Sequence, residues 1–283
     1  QSQKPDPGKS QEYGRREFFI RALFFKKEAQ HRCYHNSKGT ETSGIGKATA
    51  YKFAANKVNL ILCARRQERL EEIANDITSR FGVEVLIYVT DVRSKQEVEA
   101  FHAFVQSKNI VPSVLINNAG LASGKDKLQA GSYEDWEQMI DTNIKGLLYV
   151  TRTFLPDMIA KNEGHVINIG STAGHLVYPE GNVYNATKYA VKALNEGINL
   201  DLVGTNLRCC SIDPGACETE FSVVRFHGDE SKAKKVYEGF EPLHPEDIAD
   251  AIWYVCNAPK HVNITNMVVY PTAQRNVFVI DRK

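Results

Sequence analysis

No run of roughly 18 apolar residues occurs in this 283-residue chain, so no segment of it reads as a membrane-spanning helix. Charge of one sign is also missing, because 35 Lys and Arg are balanced by 34 Asp and Glu. A nucleic-acid-binding protein usually carries a basic excess or a basic stripe, and neither occurs after the first 35 residues, so no nucleic-acid partner is expected. Cysteine is scarce. The six residues Cys33, Cys63, Cys209, Cys210, Cys217 and Cys256 form no C-x-x-C pair, and their scatter fits no zinc-ligand spacing. They read as structural thiols, and no metal is expected. No secretory signal is visible, which points to a reducing, cytoplasmic compartment. Internal repeats are absent, as is low complexity after residue 10, and a 42% hydrophobic content is too high for a disordered chain. What remains is a soluble globular protein with one sizeable core.

The chain divides unevenly. Residues 1–30 read as an N-terminal extension, partly disordered and partly helical, and residues 31–283 as a single domain. Within the extension, Tyr13 to Lys27 sets Phe18, Phe19, Ile20, Leu23, Phe24 and Phe25 among Arg15, Arg16, Arg21, Lys26 and Lys27. This pattern reads as a basic, aromatic helix packed on the domain or a neighbouring subunit, with membrane contact or targeting as the alternative. Glu12, Glu17 and Glu28 weaken the targeting reading.

From residue 44 strands and helices alternate. Val58–Ala64 is apolar with little alternation, which suits a strand covered on both faces. Further strands are expected at Val83–Val89, Val114–Asn117, His165–Gly170, Leu207–Ile212 and Met267–Val269. Helices are expected at Leu70–Arg80, Lys95–Lys108 and across Tyr133–Ala160, the last broken near Pro156. Such alternation predicts an α/β fold with a doubly wound parallel sheet between two helical layers.

Two constellations carry chemistry. Ser43-Gly44-Ile45-Gly46 enters a helix, where glycine lets backbone approach a phosphate and the free N–H groups attract its charge. The next strand ends in Arg65 and Arg66, where an acidic residue would favour NAD; two guanidinium groups suit a 2′-phosphate and point to NADP. The alternative is a solvated helix face shared with Glu68, Glu71 and Glu72. In the second constellation, Tyr184 and Lys188 stand one helical turn apart. A phenol ordinarily titrates near about 10, and a neighbouring ammonium favours its ionised form. Ser171 closes a strand, where a hydroxyl can reach a carbonyl oxygen, and Asn143 lies between.

Together these residues resemble the short-chain dehydrogenase/reductase family. The matching residues are Gly44-Ile45-Gly46, Asp91-Val92, Asn117-Asn118-Ala119-Gly120, Asn143, Ser171, Tyr184, Lys188 and Pro214-Gly215 with Thr219, and the likeness spans residues 39–272. It implies a Rossmann fold, an α/β/α three-layer sandwich. It also implies hydride transfer between a nicotinamide and a substrate carbon. Ser171 would orient the carbonyl, Tyr184 would exchange its proton, Lys188 would hold the nicotinamide ribose, and Asn143 would hold a relay water. The cofactor would lie along Gly39, Ser43, Gly44, Ile45, Gly46, Arg65, Arg66, Asp91, Val92, Asn118, Ala119, Gly120, Pro214, Gly215 and Thr219, with Asn117 on the adenosine side. The stretch from Glu218 to Tyr237 is most similar to NADP-dependent 3-hydroxy acid dehydrogenases, which include serine and allo-threonine oxidisers and are homotetramers. Arg225 in that stretch would grip a substrate carboxylate, alongside Ser171 and Tyr184; a surface or intersubunit arginine is the alternative. His175 and His227 lack ligand-spaced partners.

The front of the domain departs from the family pattern. His31 to Lys38 is polar and basic where a central strand should be apolar, Thr40 replaces a turn glycine, and Glu41 places a carboxylate in the phosphate loop. Gly39 is the candidate substitute glycine. Three readings therefore stay open: a small 3-hydroxy acid or β-hydroxy amino acid dehydrogenase, a carbonyl, steroid or 3-oxoacyl reductase, and a non-catalytic scaffold with a decayed nucleotide site.

Overall fold

A computed structural model describes residues 21–25, as backbone, and 44–283. Among the described residues seven strands form one sheet in the order β3-β2-β1-β4-β5-β6-β7: β1 (Arg21–Phe25), β2 (Asn59–Ala64), β3 (Val85–Val89), β4 (Val114–Asn117), β5 (Gly164–Ile169), β6 (Leu207–Pro214) and β7 (Asn266–Val269). The pairs β2–β3, β4–β5, β5–β6 and β6–β7 are parallel.

The exception is β1, which runs antiparallel to both neighbours, with Leu23 opposite Ile61 and Leu115. This corrects the expected helix where it covers Arg21–Phe25; the rest of Tyr13–Lys27 lies outside the described residues. A short apolar run has no periodicity that separates strand from buried helix, and the sheet's centre requires apolar sequence, which Leu23-Phe24-Phe25 supplies and His31–Lys38 does not. Residues 31–41, with their departures from the family pattern, lie outside the described residues.

Alternation along the strands splits the core between two faces. Leu60 and Leu62 pack with Phe53 of α1 (Gly44–Ala55), Ile73 and Ile77 of α2 (Gln67–Phe81) and Ile252 of α9 (Pro245–Cys256). Ile61 and Cys63 pack oppositely with Phe101 of α3 (Lys95–Ser107) and Val150 and Phe154 of α5 (Gly146–Lys161). Both faces are covered, which is why β2 lacks polar alternation. Local chemistry sets the helix ends: Gly82, with φ of 65°, closes α2, and the Ser94 hydroxyl caps α3.

The helical stretch after Tyr133 is not broken at Pro156. It comprises α4 (Tyr133–Ile140), a π-turn at Asp141–Lys145, and α5, which continues through Pro156. Pro156 and Arg152, whose carbonyl loses its helical partner, are both exposed, so water can satisfy that group. The irregularity instead falls on Asn143. The remaining helices are α6 (Asn182–Asp201), α7 (Phe221–Arg225) and α8 (Glu230–Lys235).

Candidate active site

The strand order reverses between β1 and β4, and a cleft opens there along the carboxyl ends of the parallel strands, where open α/β sheets place their ligands. Gly44, Ile45 and Gly46 line it at the start of α1. Gly44 has φ of +75°, and a Cβ there would meet only open space, so the backbone is bare toward the cleft. Gly39 and Ser43 lie outside the described residues.

Beyond β2 the cleft wall is cationic. Arg65 and Arg66 line it as expected, joined by Arg69, Arg93 and Lys47, which the sequence reading passed over. Arg69 lies in the first turn of α2, whereas Arg65 and Arg66 precede that helix, so no helical spacing links them. The Arg69 guanidinium also reaches Glu220, at 3.8 Å. Asp91 and Val92 follow β3 into the cleft. Arg93 donates to Asp91 through Nε, at 2.9 and 3.0 Å, and through Nη2 at 2.5 Å. Burial pushes the Asp91 carboxyl up, but the bonds and charge of Arg93 outweigh it and hold the group below its ordinary range.

Asn118, Ala119 and Gly120 line the middle of the cleft, but Asn117 does not. It is 3% exposed, and its Nδ2 donates to Thr151 Oγ1 and Asn168 Oδ1, both at 2.9 Å. Strand alternation turns it into the core, so its expected place beside the adenosine is corrected. Gly120 is closely packed, since a Cβ would lie 3.3 Å from Lys188 Nζ and 3.4 Å from Asn143 Oδ1, and these side chains would have to give by a few tenths of an ångström.

Four candidate catalytic residues converge at the far end. The π-turn carries Asn143 inward. Its Oδ1 accepts from the Leu121 N–H and its Nδ2 donates to the Leu121 carbonyl, each at 2.8 Å, and to Thr187 Oγ1 at 3.0 Å. Such turns recur at functional positions because the extra residue reorients the helix face. Ser171 follows β5, accepts from the Ala173 N–H at 3.1 Å, and lines the cleft together with Tyr184. Burial pushes the Tyr184 phenol up, and Tyr178 adds to this; the neighbouring Ser171 hydroxyl and the charge of Arg225 oppose it. Lys188 donates to the Ile169 carbonyl at 2.9 Å, its Nζ 5.8 Å from the Tyr184 ring centre. Burial lowers Lys188 to about 8, with Asp213 opposing.

Pro214 at the end of β6, with Gly215 and Thr219 after it, forms the wall there, and Phe221 and Val224 of α7 close over it. A Cβ on Gly215 would lie 2.5 Å from Gln274 Oε1, which accepts from the Ala216 N–H at 2.8 Å. Phe221 packs 5.5 Å from the Tyr184 ring. Arg225 sits against that ring rather than in the cleft wall: its guanidinium lies 5.8 Å from the Tyr184 ring and 5.3 Å from that of Tyr178, and Nη1 donates to the Tyr178 hydroxyl at 3.0 Å. Arg225 Nε and Nη2 are buried without a hydrogen-bond partner. His175 pairs with Asp213 and His227 with Asp135.

The arrangement runs from cations, past bare glycine backbone, to a serine, tyrosine and lysine able to hold a carbonyl oxygen and exchange its proton. Among the described residues no three His, Cys, Asp or Glu side chains gather as a metal site, and no helix is long and apolar enough to cross a membrane.

Comparison with known proteins agrees with this geometry. The model of the short chain dehydrogenase family matches residues 40–229. The NADP-dependent 3-hydroxy acid dehydrogenase of Salmonella typhi is 45% identical over 234 residues, covering 82% of this chain and 93% of that protein. That of Schizosaccharomyces pombe is 41% identical over 243 residues, covering 86% and 94%. Among solved structures, the closed form of serine dehydrogenase complexed with NADP+ superposes with a TM-score of 0.78 at 43% identity, covering 82% of this chain and 93% of that one. The chain belongs to the short-chain dehydrogenase family.

Proposed function

We propose that this chain is an NADP-dependent oxidoreductase acting reversibly on a small 3-hydroxy acid or β-hydroxy amino acid. The observation that carries the reading is the convergence of Ser171, Tyr184 and Lys188 at one end of a cleft whose other end is lined by Arg65, Arg66 and Arg69. The arginines suit a 2′-phosphate, and the bare backbone at Gly44 suits a pyrophosphate at a helix N-terminus. The likeness to NADP-dependent relatives points the same way.

The nicotinamide supplies or accepts the hydride when bound; the rest is positioning and proton handling by the protein. Ser171 donates to the substrate oxygen, and Tyr184 gives or takes that oxygen's proton. Lys188 favours the phenolate by its charge and holds the ribose hydroxyls. Asn143 has both amide hydrogens committed to Leu121 and Thr187, which leaves an oxygen lone pair for a relay water. Arg225 supplies the carboxylate grip. One of its nitrogens is spent on Tyr178 while two remain buried and unbonded next to Tyr184, and a carboxylate would satisfy them bidentately. A buried guanidinium with two unbonded nitrogens beside Tyr184 favours small acids over steroids or acyl chains.

Calorimetric titration with NADPH and NADH tests the cofactor, with tight NADPH and weak NADH binding expected. Folded protein that binds neither would restore the scaffold reading. Serine, allo-threonine and 3-hydroxy acids then test the substrate, with Tyr184→Phe expected to abolish most turnover while sparing cofactor affinity. Arg225→Met is expected to raise KM sharply for the acids but not for a neutral ketone; equal losses on both would remove the carboxylate role. A cytoplasmic homotetramer completes the proposal. Exposed Tyr133, Leu148, Leu200 and Val203 offer apolar surface for subunit contact, and light scattering would reveal the assembly.

A further inference from the structure

A buried carboxylate stands directly behind the Ser171 loop. Asp213, at the end of β6, has a side chain 2% exposed and accepts three hydrogen bonds. They come from Ser211 Oγ at 2.5 Å, Asn266 Nδ2 at 2.6 Å and His175 Nε2 at 2.5 Å. Its approach to β5 needs a glycine, since a Cβ on Gly170 would lie 1.9 Å from Asp213 Oδ1. Gly170 separates Ser171 from Ile169, the residue whose carbonyl holds Lys188. The carboxylate therefore lies against the backbone between the anchors of two catalytic side chains. His175 ends the same loop, just after Thr172–Gly174, with its ring about one-quarter exposed. Its carbonyl accepts from the Tyr189 hydroxyl at 2.7 Å, next to Lys188 on α6. Gly174 in turn lies close to the Lys188 carbonyl, 2.6 Å from where a Cβ would stand.

We propose that His175 and Asp213 are a positioning pair that fastens the Ser171 loop to β6 and places a fixed negative charge behind Lys188. The proposal rests on the catalytic roles assigned above to Ser171, Tyr184 and Lys188. A buried ammonium is costly without a counter-charge, and Asp213 is the group that offsets the burial of Lys188. The other titratable groups facing this cluster are Cys210 of β6, pushed up to about 12 by burial, and Tyr270 beyond β7, also pushed up. Around Tyr184 they are Tyr178, Arg225 and Tyr237. Of these only Arg225 is cationic at neutral pH, and it acts on Tyr184 and Tyr178. The exposed edge of His175 joins the otherwise buried carboxylate to solvent.

Two measurements on wild type and variants test this. The pH dependence of kcat reads the effect on chemistry, and NMR of the Lys188 side-chain amine reads its titration without any turnover. With Asp213→Asn, Lys188 should lose its proton at least one pH unit lower, the alkaline limb of kcat should move down equally, and NADPH affinity should stay within threefold. With His175→Leu, kcat should fall about tenfold with cofactor affinity unchanged, while His175→Gln, whose amide can still donate to Asp213, should recover most of it. If Asp213→Asn does not fold, the His175 pair of variants and the Lys188 titration in His175→Leu still decide the matter. Superimposable Lys188 titrations and kcat profiles in all folded variants overturn the proposal. A wild type that turns over no hydroxy acid or ketone overturns the catalytic reading instead, and the Lys188 titration then judges the pair alone.

Discussion

Asn143 and Leu121 close a two-bond ring. The Leu121 N–H donates to Asn143 Oδ1 and Asn143 Nδ2 donates back to the Leu121 carbonyl, both at 2.8 Å and both fully buried. A side-chain amide here substitutes for a strand partner, pinning the segment after β4 to the π-turn and, through Thr187, to the helix that carries Tyr184 and Lys188. The fold thereby couples the cleft wall after β4 to the helix of Tyr184 and Lys188.

Breaking that ring should be felt in stability as well as turnover. Asn143→Leu leaves a buried N–H and a buried carbonyl of Leu121 unpaired, each costing roughly 1–3 kcal/mol. Urea unfolding should show a loss of about 2–6 kcal/mol, and kcat should fall in the folded fraction. An unchanged midpoint would mean that the segment is held by other contacts.

The cationic wall makes a separable prediction about cofactor choice. Arg65→Ser, Arg66→Ser and Arg69→Ser should each weaken NADPH binding by about 10- to 100-fold, the scale of a lost charge-assisted bond, and leave NADH binding nearly unchanged. Arg69 is the informative member, because it lines the cleft from the first turn of α2 while also reaching Glu220. Equal loss for both cofactors by calorimetry would assign these side chains to packing instead.

Lys188 should set function against stability. Burial holds it at about 8 against an ordinary value of 10.5, so between these pH values the unfolded chain binds the extra proton and stability rises with pH. Below about pH 8 the fold carries a buried ammonium at its full cost. Lys188→Met should therefore raise unfolding stability near neutral pH by about 1–3 kcal/mol while removing nearly all activity. A destabilised variant would show that the bond to Ile169 outweighs the burial of the charge.

His165 predicts the acid side of the stability curve. Its ring on β5 is 2% exposed, both ring nitrogens lack a partner, and burial, helped by Arg208, lowers it from 6.5 to about 3. Between those values the unfolded chain takes up the proton first, so stability should fall as pH drops through that window, by up to about 1.4 kcal/mol per pH unit. His165→Leu should flatten this dependence in denaturant titrations and be neutral or stabilising by about 1 kcal/mol at neutral pH.

The legible parts of the fold were those with strong local pattern. The strands at Asn59–Ala64, Val114–Asn117 and Gly164–Ile169 and the helices at Gln67–Phe81 and Lys95–Ser107 lie within a few residues of where apolar runs and caps place them. Two readings failed where local signal and tertiary context compete. Phe and Leu in a five-residue run suit helix or strand equally, and the sheet's need for an apolar centre selected the strand at Arg21–Phe25. Proline marks a helix break in isolation, yet Pro156 is exposed and harmless, whereas the real irregularity at Asp141–Lys145 carries no breaker residue.

For the site, residue type and order along the chain were enough to single out Ser171, Tyr184, Lys188, Asn143 and the arginine pair, because proton transfer and phosphate recognition each need particular functional groups at particular strand ends. Direction was beyond the sequence. Asn117 and Asn118 are identical in type and adjacent, and only strand alternation turns one into the core and the other into the cleft. Asp213 and His175 lie far apart in sequence and carry no motif. Their pairing exists because parallel β5 and β6 end side by side and Gly170 leaves room for the carboxylate. Local chemistry is written in the order of residues, but contacts between distant segments depend on how the sheet stacks its strand ends, and that is decided only when the chain closes its core.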